Sequence, residues 1–326
     1  LVSAYYRPIV SEGEGLSLAG GPLRFARVEV RRRGGTPALV AAGTLPDPVL
    51  ARLTAPRPAM AGLAMDRPRV MGILNVTPDS FSDGGRHGDP LAAARGLAMA
   101  GADIVDIGAE STRPGAVEVD LGTERGRLAP LFGALQGIRW SIDTRKAAIM
   151  AAALDAGAAL VNDVSGLRHD AAAVALLAGR DCPVVVMHAQ GSPETMQADP
   201  RYDDALLDVY DWLEARIAAL EAAGIARARI IADPGIGFGK GLEHNLAILR
   251  GLTLFHGLGV PLLLGASRKA LISRLAGEVP ADARLPGSLA LALHGAACGV
   301  QILRVHDVAE TVQALAVWRQ LGGALP

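Results

Sequence analysis

Eight short runs rich in Val, Ile and Leu alternate from residue 69 onward with longer Ala- and Leu-rich segments of helical period, and polar residues recur where the runs end. Together these features predict an α/β chain of repeated strand–helix units closed as a (β/α)8 barrel, although an open doubly wound sheet would give a similar alternation. The runs are 69–76 (RVMGILNV), 103–109 (DIVDIGA), 140–144 (WSIDT), 160–166 (LVNDVSG), 183–189 (PVVVMHA), 229–235 (RIIADPG), 261–267 (PLLLGAS) and 301–307 (QILRVHD). Their starts lie about 33 residues apart on average, room for one strand and one crossover helix each.

The intervening segments carry helix punctuation. Residues 145–156 (RKAAIMAAALDA) stop at Gly157, a residue type favoured just past a helix end, and Asp199–Pro200 opens the longest segment, which runs to about Ala223 before Gly224. Trp212, Leu213, Ile217 and Leu220 recur there at helical spacing and read as core packing. Residues 1–66 differ: LRFARVEV alternates at 23–30, and Pro37, Pro46, Pro48, Pro56 and Pro58 follow. They predict a small extension with one hairpin and a short helix, packed on a catalytic barrel over 67–326.

Composition narrows the function classes. Half of the 326 residues are apolar, and 33 acidic residues nearly balance 32 basic ones. The only basic run is Arg31, Arg32 and Arg33, expected to be a solvated strand end, so no footprint for nucleic acid or an anionic membrane is present. Cys182 and Cys298 lie far apart in apolar surroundings and read as reduced core thiols, which with the absence of a secretory pattern predicts a cytosolic protein. No stretch approaches the roughly 20 apolar residues of a membrane span. Only Lys146, Lys240 and Lys269 are lysines.

In a barrel the active site forms where strands end, so polar residues at those ends are tested as a set. Run one ends in Asn75; run two leads into GAESTRPGA with Glu110, Ser111, Thr112 and Arg113; run three ends in Asp143; run four carries Asn162 and Asp163. Run five ends in His188, run six in Asp233 before PGIGFGKG, run seven in Ser267, Arg268 and Lys269, and run eight in Arg304 and His306. Singly, Asp143, Asn162 or Asp233 would serve as helix caps, and either histidine as a satisfied core residue. Recurrence at nearly every end argues for a shared site. Asp143, Asp233 and Asn162 suit a flat heterocycle with an amino-amidine edge, because a carboxylate accepts two N–H donors in one plane. Arg304, His306, Arg113 and Asn75 suit an anion such as diphosphate.

Competing motifs fail on spacing. GIGFGKG at 235–241 lacks the four intervening residues of a Walker loop, and Gly241 stands where that loop has Ser or Thr. HExxH, paired-cysteine and GxSxG patterns are absent, which argues against zinc and serine hydrolases.

The stretch MGILNVTPDSFSDGG at 71–85 closely resembles the N-terminal signature of the dihydropteroate synthases, and DIGAESTRPGA, SIDT, VNDVSG, DPGIGFGK, ASRK and RVHDV follow in that family's order over about 250 residues. The resemblance implies a TIM barrel, commonly a homodimer, that condenses (7,8-dihydropterin-6-yl)methyl diphosphate with 4-aminobenzoate and releases diphosphate. By resemblance, Asp143, Asn162, Asp233 and Lys269 would bind the pterin, with Met187 and Phe238 as apolar walls. Asn75, Thr112, Arg113, Arg304 and His306 would hold diphosphate, with Mg2+ on Asn75. Phe81, Asp83, Arg113, Pro114, Lys269 and Ala270 would surround 4-aminobenzoate. Lys269, Arg304, His306 and Asp143 would be the catalytic group in an SN1-like transfer that needs charge stabilisation more than a base.

Three positions depart from the family pattern. Ala270 stands where Ser is common, Ala109 where Gly is common, and Ala189 where Met is frequent. They bear on the 4-aminobenzoate site and sulfonamide sensitivity. Two other functions are alternatives: a pterin-binding barrel without synthase activity, which would lack diphosphate or loop residues, and a methyltetrahydrofolate methyltransferase barrel, which should lack NVTPDSFSDGG and SRK.

Overall fold

A computed structural model describes residues 4–11, 13–77, 89–111, 115–191 and 195–322. Strands β1 (Tyr5–Ser11), β2 (Leu16–Ser17), β3 (Arg24–Arg31) and β4 (Ala38–Ala41) form a small antiparallel sheet in the order β1-β3-β2, with β4 also on β3. Helix α1 (Asp47–Thr54) follows. The units after it are β5 (Arg69–Asn75), α2 (Pro90–Met99), β6 (Ile104–Gly108), α3 (Leu121–Leu128), β7 (Trp140–Asp143), α4 (Ala147–Asp155), β8 (Leu160–Asp163) and α5 (Ala172–Ala178). They continue with β9 (Val184–Met187), α6 (Ala205–Ala222), β10 (Ile230–Asp233), α7 (Leu242–Arg250), β11 (Leu263–Leu264), α8 (Ala270–Ala276), α9 (Leu285–Ala297), β12 (Ile302–Val305) and α10 (Val308–Gln320).

The second sheet runs β10-β9-β8-β7-β6-β5-β12-β11, all parallel, and the Ala232–Leu262 bridge joins β10 to the approach of β11. That bridge closes the barrel and rules out the open sheet. Every strand overlaps its predicted run, although β11 shrinks to two residues.

The barrel interior is built in layers. Met71, Ile104, Leu160, Val185, Ile231, Leu263 and Ile302 form one buried apolar cluster, and Met60, Leu63 and Met65 from the segment before β5 join it. A strand side chain returns to the same face every second residue. Two positions on, the same strands therefore present Asp106, Asn162, Met187, Asp233 and Arg304 to the interior. Helices pack outside over a larger cluster that includes Leu213, Ile217 and Leu220, all fully buried, as their spacing predicted.

Three expectations need correction. The extension carries four strands, not one hairpin. The longest helix starts at Ala205, not at Asp199–Pro200, because the Asp204 carboxylate accepts the N–H groups of Leu206 and Leu207. The arginine triplet is not merely solvated, since Arg33 pairs with Asp208 and Asp211 on α6 at 2.7 Å each. Tyr5 donates to Asp211 at 2.8 Å and Thr253 donates to the Pro8 carbonyl at 2.7 Å, so this contact fixes the small sheet against the barrel. Cys182 and Cys298 are buried and unbridged. Among the described residues no helix is long and apolar enough to cross a membrane.

Candidate active site

The carboxyl ends of four strands share one register row: Asn75 lies beside Gly108, Gly108 beside Asp143, and Asp143 beside Asn162. Gly108 matters here because a Cβ would press to 3.3 Å on the Asp143 side chain. Its absence leaves Asp143 room at the mouth.

Asp106 is the centre of the polar layer. Fully buried on β6, it accepts from Ser141 Oγ at 2.6 Å, Asn162 Nδ2 at 2.9 Å and Arg304 Nε at 2.6 Å. Arg304 Nη2 turns to Asp143 Oδ2 at 2.7 Å. One guanidinium thus bridges two carboxylates. Burial works against the Arg304 charge, but Asp106 and Asp143 outweigh it and hold its pKa above the usual value. Burial pushes the Asp143 carboxyl up to about 7, against the pull of Arg304 and with help from the carboxylates of Asp106, Asp163 and Glu124.

Across the mouth, Asp233 Oδ1 accepts the Gly235 N–H at 2.7 Å. Burial raises its pKa, while that N–H, Lys269, Lys240 and Arg304 oppose the rise. Lys269 Nζ stands 3.9 Å from the centre of the Phe238 ring, a cation–π contact. Met187 is buried and pairs in register with Asp233. The structure therefore gathers Asp143, Asn162, Asp233, Lys269, Met187, Phe238 and Arg304 at one end of the barrel.

The SRK segment is held in an uncommon shape. Arg268 has φ +56°, its guanidinium pairs with Asp307, its N–H donates to Ser288 Oγ at 2.9 Å, and Arg284 donates to its carbonyl at 3.0 Å. This turn brings Ser267 Oγ to 3.1 Å from His306 Nδ1 and leaves Lys269 just before α8, with exposed Ala270 as the first helical residue.

At the base of the second loop, Glu110 accepts from Arg145 Nη2 at 2.9 Å, Lys146 Nζ at 3.1 Å and the Val119 N–H at 2.9 Å, and Lys146 also reaches Glu124 at 2.7 Å. A cavity of about 260 Å³ opens nearby, lined by Arg145, Ser165, Arg168, His169, Met196 and Phe238 among others. Of these only Phe238 belongs to the predicted pterin set.

Other predicted residues fare differently. Thr112, Arg113, Pro114, Phe81 and Asp83 lie outside the described residues. Asp163 does what a turn-bracing carboxylate does, accepting from the N–H groups of Ser165 and Leu167. His188 is a buried histidine against Lys240, pushed down to about 2 by burial and by that ammonium. Asp106 and Ser141 were not among the predicted site residues. For Asp106 the signal was phase: it follows inward Ile104 by two, as Asn162 follows Leu160, Asp233 follows Ile231 and Arg304 follows Ile302.

A closed barrel with a buried carboxylate–guanidinium floor at its carboxyl end has its polar layer where barrel enzymes carry their active sites, and residues 71–306 match the family described as pterin binding enzyme. The chain is 45% identical over 252 residues to the dihydropteroate synthase of Escherichia coli strain K12, covering 76% of this chain and 89% of that one. It is 46% identical to Xanthomonas albilineans dihydropteroate synthase with 4-aminobenzoic acid, over 83% of this chain and 99% of that one, with a TM-score of 0.76. It is 43% identical to Burkholderia cenocepacia dihydropteroate synthase complexed with 7,8-dihydropteroate, over 82% and 97%, with a TM-score of 0.75. The chain belongs to the pterin binding enzyme family, within its dihydropteroate synthase group.

Proposed function

We propose that the chain catalyses the dihydropteroate synthase reaction, a transfer in folate biosynthesis that joins (7,8-dihydropterin-6-yl)methyl diphosphate to 4-aminobenzoate and yields 7,8-dihydropteroate and diphosphate. The observation that carries this reading is the polar layer of Asp106, Asn162, Asp143, Asp233 and Arg304 in a chain 45% identical to a dihydropteroate synthase over 252 residues.

In this reading the pterin amino-amidine edge donates to Asp233, while Asn162 and Asp143 meet the far side of the ring. Phe238 and Met187 cover the ring faces. The bond between the exocyclic methylene and the diphosphate oxygen breaks first, with the electron pair leaving on diphosphate and the cation delocalised into the dihydropterin. The amine of 4-aminobenzoate, unprotonated at neutral pH, then forms the C–N bond and loses a proton to water. His306, Asn75, Thr112 and Arg113 stabilise the leaving group. Arg304 joins them with the N–H groups that Asp106 and Asp143 leave over, since a guanidinium has five. Its first duty is the floor of the pterin site. Phe81, Asp83, Arg113, Pro114, Lys269 and Ala270 surround the 4-aminobenzoate.

Magnesium fits the donor set as a substrate-borne ion. Among the described residues no group of three or more His, Cys, Asp or Glu side chains is placed to hold a metal, and Asp106 and Asp143 are engaged by Arg304. Asn75 offers one amide oxygen, and Mg2+ commonly takes one or two protein oxygens plus substrate phosphates. Bound there, the ion would neutralise charge developing on diphosphate.

Residues 67–326 form the catalytic unit in this reading and 1–66 an extension packed on it. The resemblance further supports a homodimer, and two buried, unbridged cysteines fit a reducing compartment such as the cytoplasm. The test of function is diphosphate release by the purified protein with the pterin diphosphate and Mg2+, with and without 4-aminobenzoate, and product identified by mass. Release coupled to dihydropteroate is expected; tight pterin binding without product would instead favour a non-catalytic binding barrel.

A further inference from the structure

Lys240 is the most deeply buried of the three lysines, and its four polar partners all lie in two loops at the barrel mouth. Its Nζ donates to the carbonyls of Gly235 at 2.8 Å, Phe238 at 3.0 Å and His188 at 3.2 Å, and lies 2.8 Å from His188 Nδ1. No carboxylate is among these partners. A buried cation is costly unless hydrogen bonds surround it, and burial pushes this one down to about 7.

The loop it gathers is shaped for close approach. Gly235, Gly237 and Gly239 all have positive φ, and a Cβ at Gly235 or Gly239 would overlap the carbonyl of His188 or Gln190. Gln197 donates to the Gly237 carbonyl and Tyr202 to that of Gly239, both at 2.7 Å, while Asn245 accepts the Gly237 N–H. The Phe238 carbonyl is left to Lys240, and the Gly235 carbonyl accepts both Lys240 and the Phe238 N–H, the latter at 3.2 Å. Gly235 presents its N–H to Asp233, and Phe238 lays its ring against Lys269.

We propose that Lys240 is a positioning residue for the pterin half of the reaction, clamping the 235–239 loop so that Phe238 stands over Lys269 and the Gly235 N–H stays on Asp233. This inference rests on the pterin reading of that pocket. Lys240 also acts through charge. Asp233 faces Lys240, Lys269 and Arg304 together with the Gly235 N–H, and Lys240 faces His188, Asp233 and Lys269. Removing the Lys240 ammonium leaves Asp233 easier to protonate.

The test is steady-state turnover by the full chain, with pterin diphosphate varied across the acidic limb of the pH profile, for wild type, Lys240→Met and Lys240→Arg. In Lys240→Met, KM for the pterin substrate rises about tenfold or more while kcat changes less, and the acidic limb moves to higher pH. Lys240→Arg returns the limb toward its wild-type position because the charge is restored, with KM still raised because a guanidinium cannot meet three carbonyls around one nitrogen. A folded Lys240→Met with unchanged KM and unchanged limb overturns the proposal, whereas a wild type that neither binds the pterin nor makes product overturns the pocket reading beneath it. Should Lys240→Met fail to fold, nitrogen-15 lysine spectra of the wild type decide, since only three side-chain signals exist. The Lys240 signal shifts on dihydropterin binding if the proposal holds and stays fixed if it does not.

Discussion

The lower and upper layers of the barrel interior are made by the same strands two residues apart, yet they have opposite chemistry. Below, Ile104, Leu160, Ile231 and Ile302 pack on Met60, Leu63 and Met65 in one buried apolar cluster. Above, Asp106, Asn162, Asp233 and Arg304 carry charge or amide groups, and Asp106 is as inaccessible as Ile104. Burial alone therefore does not separate scaffold from site. What separates them is the partner list: the lower layer is held by contact area, the upper by oriented hydrogen bonds that a ligand can extend.

The comparison is broken most severely by Arg304→Met, which leaves Asp106 and Asp143 facing each other without their shared cation. Removing one partner of a buried pair costs about 3–5 kcal/mol, so urea unfolding should show that loss together with abolished product formation. Ile104→Ala, in the layer beneath, should cost about 2–5 kcal/mol by the same unfolding measurement while leaving KM for both substrates near wild type. A large KM change there would erase the distinction between layers. Asp233→Asn should weaken pterin binding by about 1–3 kcal/mol in calorimetry through one lost charge-assisted hydrogen bond. Unchanged affinity would remove Asp233 from the pocket.

The last expected effect is the most gradual, a slope. Asp143 is raised from 3.8 to about 7 in the folded chain, so folding takes up a proton between those values. Its contribution to stability is fully present below pH 3.8 and is lost as pH rises through about 7. Asp143→Asn lacks this group, and its stability relative to wild type should improve as pH rises through that window, by at most about 1.4 kcal/mol per pH unit. A difference independent of pH would show that Asp143 titrates normally.

Much of the architecture was legible because strand runs, glycine stops and polar strand ends are local signals. Asn162, Asp233 and Arg304 stood out as polar residues directly after the apolar residues of their runs. Asp106 did not, since it sits inside IVDIG and its role depends on meeting Ser141, Asn162 and Arg304 across three other strands. The start of α6 was misplaced because Asp199 and Asp204 are equally good caps by type. Tertiary bonds decided between them: Gln190 holds the Arg201 backbone and the Tyr202 hydroxyl reaches the Gly239 carbonyl, which keeps that segment extended. In the extension, β2 and β4 are too short for alternation to reveal, and Arg33 reads as solvent-facing until α6 brings Asp208 and Asp211 to it.

The most direct test of the layered account is calorimetric titration of the dihydropterin into Asp106→Asn beside the wild type. If the upper layer is the binding floor, Asp106→Asn remains folded but loses measurable pterin affinity, because Arg304 loses a charged partner and an amide can accept at only one of the two atoms that serve Ser141, Asn162 and Arg304. Wild-type affinity in a folded Asp106→Asn would contradict that, and would make Asp106 part of the scaffold like the isoleucine below it.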